Sequence, residues 1–133
     1  MEHINETQLV EATNPDHHLY KEITKILKHI GVPGHLLGWG YVREAILLAM
    51  KNRNILTAIT IELYPQIARK FDTTPSRVER AIRHAIDLSW ARGDLEVLNH
   101  YFGNTISAEK GKPTNKEFIA TVADYLCLEM GLC

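Results

Sequence analysis

Apolar residues recur at helical spacing along most of the chain. From Tyr20 to Ile30, aliphatic residues lie three or four positions apart, and Gly31 and Pro33 then end the segment as a left-handed cap and a helix breaker. A second helix is predicted over "YVREAILLAMK", whose apolar residues again form one stripe. The glycine-rich stretch between the two is interpreted as a turn, with glycines at positions 31, 34, 38 and 40.

Four further helices are predicted downstream. Asn54 is a candidate N-cap for the third, in which Pro65 either kinks the helix or restarts it. A long helix follows over residues 75–91, then "DLEVLNHYF" with Asp94 as its cap, then a last helix that begins at residue 114 or 115. Because no segment alternates polar and apolar residues as a strand does, we predict an all-α fold of about six helices.

The long helix has two distinct surfaces. At 100° per residue, its aliphatic and small residues fall in one arc of the helix. The other arc contains Trp90 and these polar residues: Arg77, Glu79, Arg80, Arg83, His84 and Asp87. A short helix over residues 65–71 precedes the long one, with a turn of three residues between them. This order predicts a helix-turn-helix, with residues 75–91 as the recognition helix.

The first turns of such a recognition helix enter the major groove of DNA. Here those turns contain Arg77, Glu79 and Arg80. The planar guanidinium group of arginine matches O6 and N7 of guanine, and glutamate can accept a hydrogen bond from N4 of cytosine. We therefore predict that these three side chains contact bases in an element rich in G and C.

Candidate phosphate contacts surround the recognition helix and the start of the last helix. Lysines in "EKGKPTNKE" flank a predicted helix N-terminus, whose backbone N–H groups favour anions. The local formal charge between residues 65 and 93 is +3, although the whole chain has a net charge of −1. A solvated amphipathic surface is the alternative interpretation. The predicted phosphate contacts are Thr74, Ser76, Arg83, His84, Lys110, Lys112, Asn115 and Lys116.

Composition limits the class of protein. The 133 residues are 45% hydrophobic and 23% charged, as in an ordinary single soluble domain, and no apolar run approaches the roughly 18 residues of a membrane span. Residues 1–18 are polar and without a sustained period, which predicts a flexible tail or linker before a domain over residues 19–133. Signal-peptide features are lacking and there are only two cysteines, so we expect a cytoplasmic, nucleoid-associated protein.

Histidines and cysteines do not occur at the spacings typical of metal sites, and no nucleophile, base and acid are grouped as in a hydrolase. We therefore predict a protein that is not an enzyme and that needs neither a metal nor a cofactor. Trp39 and Trp90 are interpreted as packing residues.

Several strings of the sequence resemble one family. They are "GVPGHLLGWGYVREAI", "LYPQIARKFDTTPSRVERAIRHAI", "SWARG" and "KPTNKEFIATVADYL", with "SRVERAIRHAI" the most diagnostic part. They are similar to the C-terminal effector domains of stage zero sporulation protein A, a response regulator of two-component systems, from about Tyr20 to the end. The resemblance implies a six-helix DNA-binding domain that reads a TGTCGAA-type element and activates or represses sporulation genes. The chain departs from the family pattern at Pro75, in "GWG" at 38–40 and in the tail "CLEMGLC".

The resemblance also implies partners. Two copies would bind in tandem, as a homodimer, to direct repeats in double-stranded DNA, and a receiver domain would belong to a longer natural chain. Sigma subunits of RNA polymerase would contact the region of Gly93, Asp94, Glu96, Asn99 and His100. The alternative function is a helical protein-interaction module whose arginine surface docks on an acidic partner, such as a sigma subunit.

Overall fold

Six α-helices form the part of the chain that the computed structural model describes, residues 14–103 and 111–133. These ranges contain no strand, so the predicted all-α fold is confirmed. The helices are α1 (His17–Ile30), α2 (Leu37–Lys51), α3 (Tyr64–Lys70), α4 (Pro75–Arg92), α5 (Leu95–Phe102) and α6 (Asn115–Glu129). None of the helices in these ranges is both long enough and apolar enough to cross a bilayer.

The helix ends follow the predicted capping residues. The side chains of Thr74 and Asp94 accept hydrogen bonds from backbone N–H groups in the first turns of α4 and α5. Thr114 and Glu117 form a reciprocal capping box at the start of α6. At the end of α1, Gly31 adopts a φ of +92°, the left-handed conformation that glycine reaches without strain. These local signals could be read from sequence because each involves residues close together in the chain.

Helix α2 begins earlier than predicted, at Leu37 rather than Tyr41. The glycines at positions 38 and 40 therefore lie inside a helix, and their interpretation as turn residues is wrong. Gly38 is buried against α4, where a Cβ atom would overlap the carbonyl oxygen of Ala81. This glycine lets two helices approach closely, a tertiary requirement that helix propensity does not report.

The segment before α3 is not one continuous α-helix. A 3₁₀ helix (Arg53–Ala58) and a π-helical turn (Ile59–Leu63) precede it. Pro65 lies in the first turn of α3, so of the two alternatives predicted for it, a kink or a restart, the structure shows the restart. Proline has no N–H to donate and its ring excludes the carbonyl four residues back. The prediction that Asn54 caps this segment is wrong, because the cap is Asn52, whose side chain accepts from the N–H of Asn54.

The core surrounds α2, which contacts α1, α3, α4 and α6. Its predicted apolar stripe of Val42, Ala45, Ile46 and Ala49 is completely buried. From α4, the predicted inner arc contributes five buried residues, Val78, Ile82, Ala85, Ile86 and Ser89. The hydrophobic effect of these side chains holds α4 against α2 and α3 along its length.

Three aromatic side chains pack together at the C-terminal half of α4, one of them from α4 itself. The ring of Trp90 meets Phe102 of α5 edge to face, with 5.0 Å between centroids, and meets Phe118 of α6 in the same manner at 6.1 Å. Phe102 and Phe118 stack at 5.2 Å, and both are fully buried. Trp90 is half-buried against this core, as is Trp39, so their interpretation as packing residues is confirmed.

Candidate nucleic-acid interface

The turn between α3 and α4 is tight and left-handed at one residue. Asp72 has a φ of +52°, a conformation in which aspartate is enriched among non-glycine residues. The N–H of Thr73 donates to the carbonyl oxygen of Ala68 at 2.9 Å, which closes the end of α3 in the manner of a Schellman motif. The turn therefore brings the first turn of α4 directly after α3, as the spacing of the sequence predicts.

Two arginines occupy the exposed side of the first two turns of α4. Arg77 and Arg80 are exposed, and neither forms an ion pair with another residue in the described ranges. Glu79, between them in sequence, is half-buried, and its carboxylate lies 3.6 Å from the guanidinium group of Arg83. The structure thus leaves two positive charges available at this end of the helix. Glu79, the acidic residue predicted to contact a base, lies close to Arg83.

Four predicted phosphate contacts lie on or beside the same exposed surface of α4. Thr74, Ser76, Arg83 and His84 are all exposed. The Oγ1 atom of Thr74 accepts a hydrogen bond of 3.2 Å from the backbone N–H of Arg77. Because a hydroxyl group can accept and donate at once, the cap leaves the Thr74 proton free for an acceptor such as a phosphate oxygen.

Asn115 brings the start of α6 beside α4. Its Nδ2 atom donates to the Oη atom of Tyr64 and to the carbonyl oxygen of Glu79, each at 3.1 Å. Burial raises the pKa of the Tyr64 phenol, and the hydrogen bond from Asn115 partly opposes this effect. The side-chain amide of Asn115, which sequence predicts as a phosphate contact, therefore joins three helices in this structure.

The lysines near the start of α6 are placed differently from one another. The Nζ atom of Lys112 lies 2.7 Å from Oδ1 of Asp87 on α4, whereas Lys116 is exposed in the first turn of α6. Lys110 lies outside the described residues. A cleft of about 560 Å³ separates α4 from the start of α6. Its apolar floor includes Ile59 and Ile86, and its rim holds Arg83, Lys112 and Lys116.

A partly buried network pairs one more positive charge of the predicted basic region with an acid. Lys70 Nζ donates to Oε2 of Glu44 and to Oη of Tyr20, each at 2.9 Å, while Tyr20 donates to the same carboxylate oxygen at 2.6 Å. Partial burial opposes the charge of Lys70, but the hydrogen bonds to Tyr20 and Glu44 outweigh it and raise the lysine pKa. Sequence reasoning missed this pairing because 26 residues separate the lysine from the glutamate.

The predicted sigma-contact residues lie at the other end of α4. Gly93 follows the helix, and exposed side chains on α5 or at its cap come next, namely Asp94, Glu96, Asn99 and His100. The His100 ring meets Tyr101 edge to face, at 4.8 Å between centroids. At 1.5 Å per helical residue, about 24 Å separates Arg77 from Gly93. The two predicted sites therefore do not overlap.

Acidic, histidine and cysteine side chains do not converge in threes to form a metal site anywhere in residues 14–103 and 111–133.

The sequence matches one family model over a region that includes this surface. The family model described as the sporulation initiation factor Spo0A C-terminal region matches residues 23–126, most of the chain. The match includes α3, the turn, α4 and the start of α6, and it ends before Cys127. The predicted resemblance is confirmed. With its all-α fold and its two exposed arginines at the start of α4, the chain belongs to the Spo0A C-terminal family of DNA-binding regulatory domains that act in sporulation.

Proposed function

We propose that this domain reads a TGTCGAA-type element in the major groove of DNA with the first two turns of α4. The observation that carries the proposal is the pair of exposed arginines, Arg77 and Arg80, without ion-pair partners in the described ranges. The left-handed turn at Asp72 and the short helix α3 before it support a helix-turn-helix role for the segment. Family membership supports DNA as the partner.

Each proposed base contact has a defined chemistry. Arg77 and Arg80 each donate two hydrogen bonds to O6 and N7 of a guanine, a geometry that a guanidinium group matches and an ammonium group does not. Glu79 accepts from N4 of a cytosine once its carboxylate separates from Arg83. The 3.6 Å distance between those groups is long for an ion pair, so little free energy opposes that separation.

Phosphate contacts supply most of the affinity and its dependence on salt. In this proposal Thr74 and Ser76 hold the backbone at the start of α4, and Arg83 and His84 extend the contact along the helix. Lys110, Lys112 and Lys116 bind a phosphate near the start of α6. Asn115 contributes through its backbone N–H, because its side-chain amide already donates to Tyr64 and Glu79. The exposed pair of Lys112 with Asp87 opens at small cost.

Regulation of transcription uses a second surface in this proposal. Sigma subunits of RNA polymerase contact Gly93, Asp94, Glu96, Asn99 and His100, which remain accessible while the other end of α4 is on DNA. Two domains bind direct repeats in tandem as a homodimer, and the position of the element at a promoter decides between activation and repression. If the domain, residues 19–133, is part of a longer natural chain, residues 1–18, the last two of which already belong to α1, connect it to a receiver domain. We place its action at the nucleoid.

A titration followed by fluorescence anisotropy tests the proposed base recognition. One duplex carries two TGTCGAA-type elements as direct repeats, and the control duplex has the same composition in scrambled order, both at one fixed salt concentration near physiological. We expect a preference of about 10³-fold or more for the specific duplex. Equal, weak binding to both duplexes would contradict the proposal and favour the alternative, an arginine surface that docks on an acidic protein.

A further inference from the structure

The two cysteines of the chain lie at its C-terminal end, outside both the family match and the proposed DNA interface. Cys127, in the last turns of α6, is buried with 3% of its surface exposed. Cys133, six residues later, is exposed, and both are free thiols in this structure. One accessible thiol and one protected thiol thus occur in a segment that departs from the family pattern.

The chain turns back over the end of α6 between these cysteines. Gly131 has a φ of +69°, and the N–H of Leu132 donates to the carbonyl oxygen of Cys127 at 2.8 Å. This is the closure of a Schellman motif, which returns the backbone to the last helical turn. In a continuing helix, residues six apart would be separated by about 9 Å along the axis. The turn instead joins the residue before Cys133 to the backbone of Cys127, so Cys133 lies beside the last turn of α6.

From this turn we propose that Cys127 and Cys133 form a reversible intramolecular disulfide, a modification site at the C-terminal end of α6. The oxidant is a low-molecular-weight disulfide. The Cys133 thiolate attacks one of its sulfur atoms, displaces a small thiolate and gives a mixed disulfide. The Cys127 thiolate then attacks Sγ of Cys133, forms the internal S–S bond and releases the second small thiolate. The two protein thiols lose two electrons, which reduce the small disulfide, and their protons pass to the released thiolates.

Exposure sets the order of the two steps, because only Cys133 is accessible to an oxidant in solution. Burial and the proximity of the Cys133 thiol raise the pKa of the Cys127 thiol, although the nearby Arg53 partly opposes this. Since the thiolate is the attacking species, the second step is slow at neutral pH and accelerates as the pH rises.

Mass spectrometry of the whole 133-residue chain tests the proposal. The protein is exposed to oxidised glutathione with reduced glutathione held at about 0.1 mM, below the millimolar effective concentration of a tethered thiol. Free thiols are then alkylated, and the intact masses and the cross-linked peptides are determined. We expect a species lighter by two hydrogens, with Cys127 joined to Cys133, to exceed the mixed disulfide by about tenfold. This ratio should not depend on protein concentration, and a phosphine reductant should restore both thiols.

Two variants separate the proposed steps. Cys133→Ser should abolish modification of the folded protein, because Cys127 alone is inaccessible. Cys127→Ala should accumulate the mixed disulfide at Cys133, because the resolving thiol is missing. If that variant does not fold, peptide mapping of the unmodified chain still decides the question. A persistent mixed disulfide, or a dimer joined through Cys133, as the main product of the unmodified chain would overturn the proposal.

Discussion

The two ends of α4 differ in how much of their surface the rest of the domain covers. Around the C-terminal half, Trp90, Phe102 and Phe118 pack ring against ring. At the N-terminal end, Arg77 and Arg80 project from the domain with their charges unpaired in the described ranges. One end contributes stability through buried apolar area, and the other keeps donors available for a partner. Stability and recognition should therefore be separable along a single helix.

The same contrast divides the basic residues near α4. Lys70 is bonded to Glu44 and Lys112 to Asp87, whereas the two arginines at the start of the helix are free of such partners in residues 14–103 and 111–133. The local charge of +3 counted from the sequence includes Lys70 although its acid partner lies outside the counted segment. Available charge, rather than formal charge, marks the candidate interface.

The largest expected effect follows from a substitution in the aromatic cluster at the C-terminal end of α4. Phe118→Ala removes a fully buried ring that stacks on Phe102, and we expect the free energy of unfolding to fall by about 3–5 kcal/mol. Urea unfolding measures this change. Under conditions where the variant remains folded, its preference for the specific duplex should be unchanged. If the domain tolerates only a milder change, Phe118→Leu serves the same comparison. Loss of that preference in a folded variant would show that the two ends are coupled.

The next largest effect is expected where α2 packs against the middle of α4. Gly38→Ala places a methyl group against the carbonyl oxygen of Ala81, so α2 and α4 must move apart, at a cost of about 1–3 kcal/mol. Gly40→Ala is the matched control, because its methyl group would meet the Phe71 ring at an ordinary 3.6 Å. Since alanine favours the helix, we expect the control to be neutral or more stable by about 0.5–1 kcal/mol. Equal unfolding midpoints for the two variants would contradict the account of Gly38.

A smaller effect is expected at the exposed end. Thr74→Ala removes the side chain that caps α4, which should lower the free energy of unfolding by about 1 kcal/mol. Thr74→Ser should restore it, since serine caps equally well. Ser76→Ala removes a neighbouring hydroxyl group that does not cap the helix, and its thermal unfolding should be unchanged. Both alanine variants should weaken binding to specific and scrambled duplexes by the same factor, as phosphate contacts do.

The smallest effect concerns alkaline pH and the network that holds Lys70. Burial and the hydrogen bond to Glu44 raise the pKa of Tyr20 above 10.0, and hydrogen bonds to Tyr20 and Glu44 raise that of Lys70. The folded state then retains protons that the unfolded state releases, so stability should decrease as the pH rises above about 10. Because Lys70 is half-exposed, we expect a loss of about 1 kcal/mol at most. Tyr20→Phe should reduce this loss in urea titrations between neutral and alkaline pH; an unchanged loss would contradict it.

Local chemistry explains why most of the fold could be predicted from sequence. The caps at Thr74 and Asp94, the glycine at the end of α1 and the restart at Pro65 each depend on neighbouring residues. The early start of α2 could not be predicted, because Gly38 is required by a helix distant in sequence. The 3₁₀ and π turns before α3 were missed for a different reason, since periodicity predicts a helix without distinguishing its type.

The exposure of the two arginines at the start of α4 could be predicted from sequence, but the pairing of the charges around them could not. The sequence places Arg77 and Arg80 on the polar arc, and the structure shows both exposed. Pairing depends on contacts across the fold, so the role of Asn115 in joining α6 to Tyr64 and Glu79 could not be read from its position at a helix start. For the same reason, the sequence did not reveal that Lys70 pairs with Glu44 and Lys112 with Asp87.

The most direct test of the separation along α4 compares two arginines on the same helix. Arg77→Ala and Arg92→Ala each remove one exposed charge, at opposite ends. We expect both variants to unfold within about 0.5 kcal/mol of the parent domain. In anisotropy titrations at one salt concentration, Arg77→Ala should lose about 1–3 kcal/mol of discrimination between the TGTCGAA-type and scrambled duplexes. Arg92→Ala should retain that discrimination. If both variants weaken binding to the two duplexes by the same factor, α4 contributes charge alone and the account of base recognition is wrong.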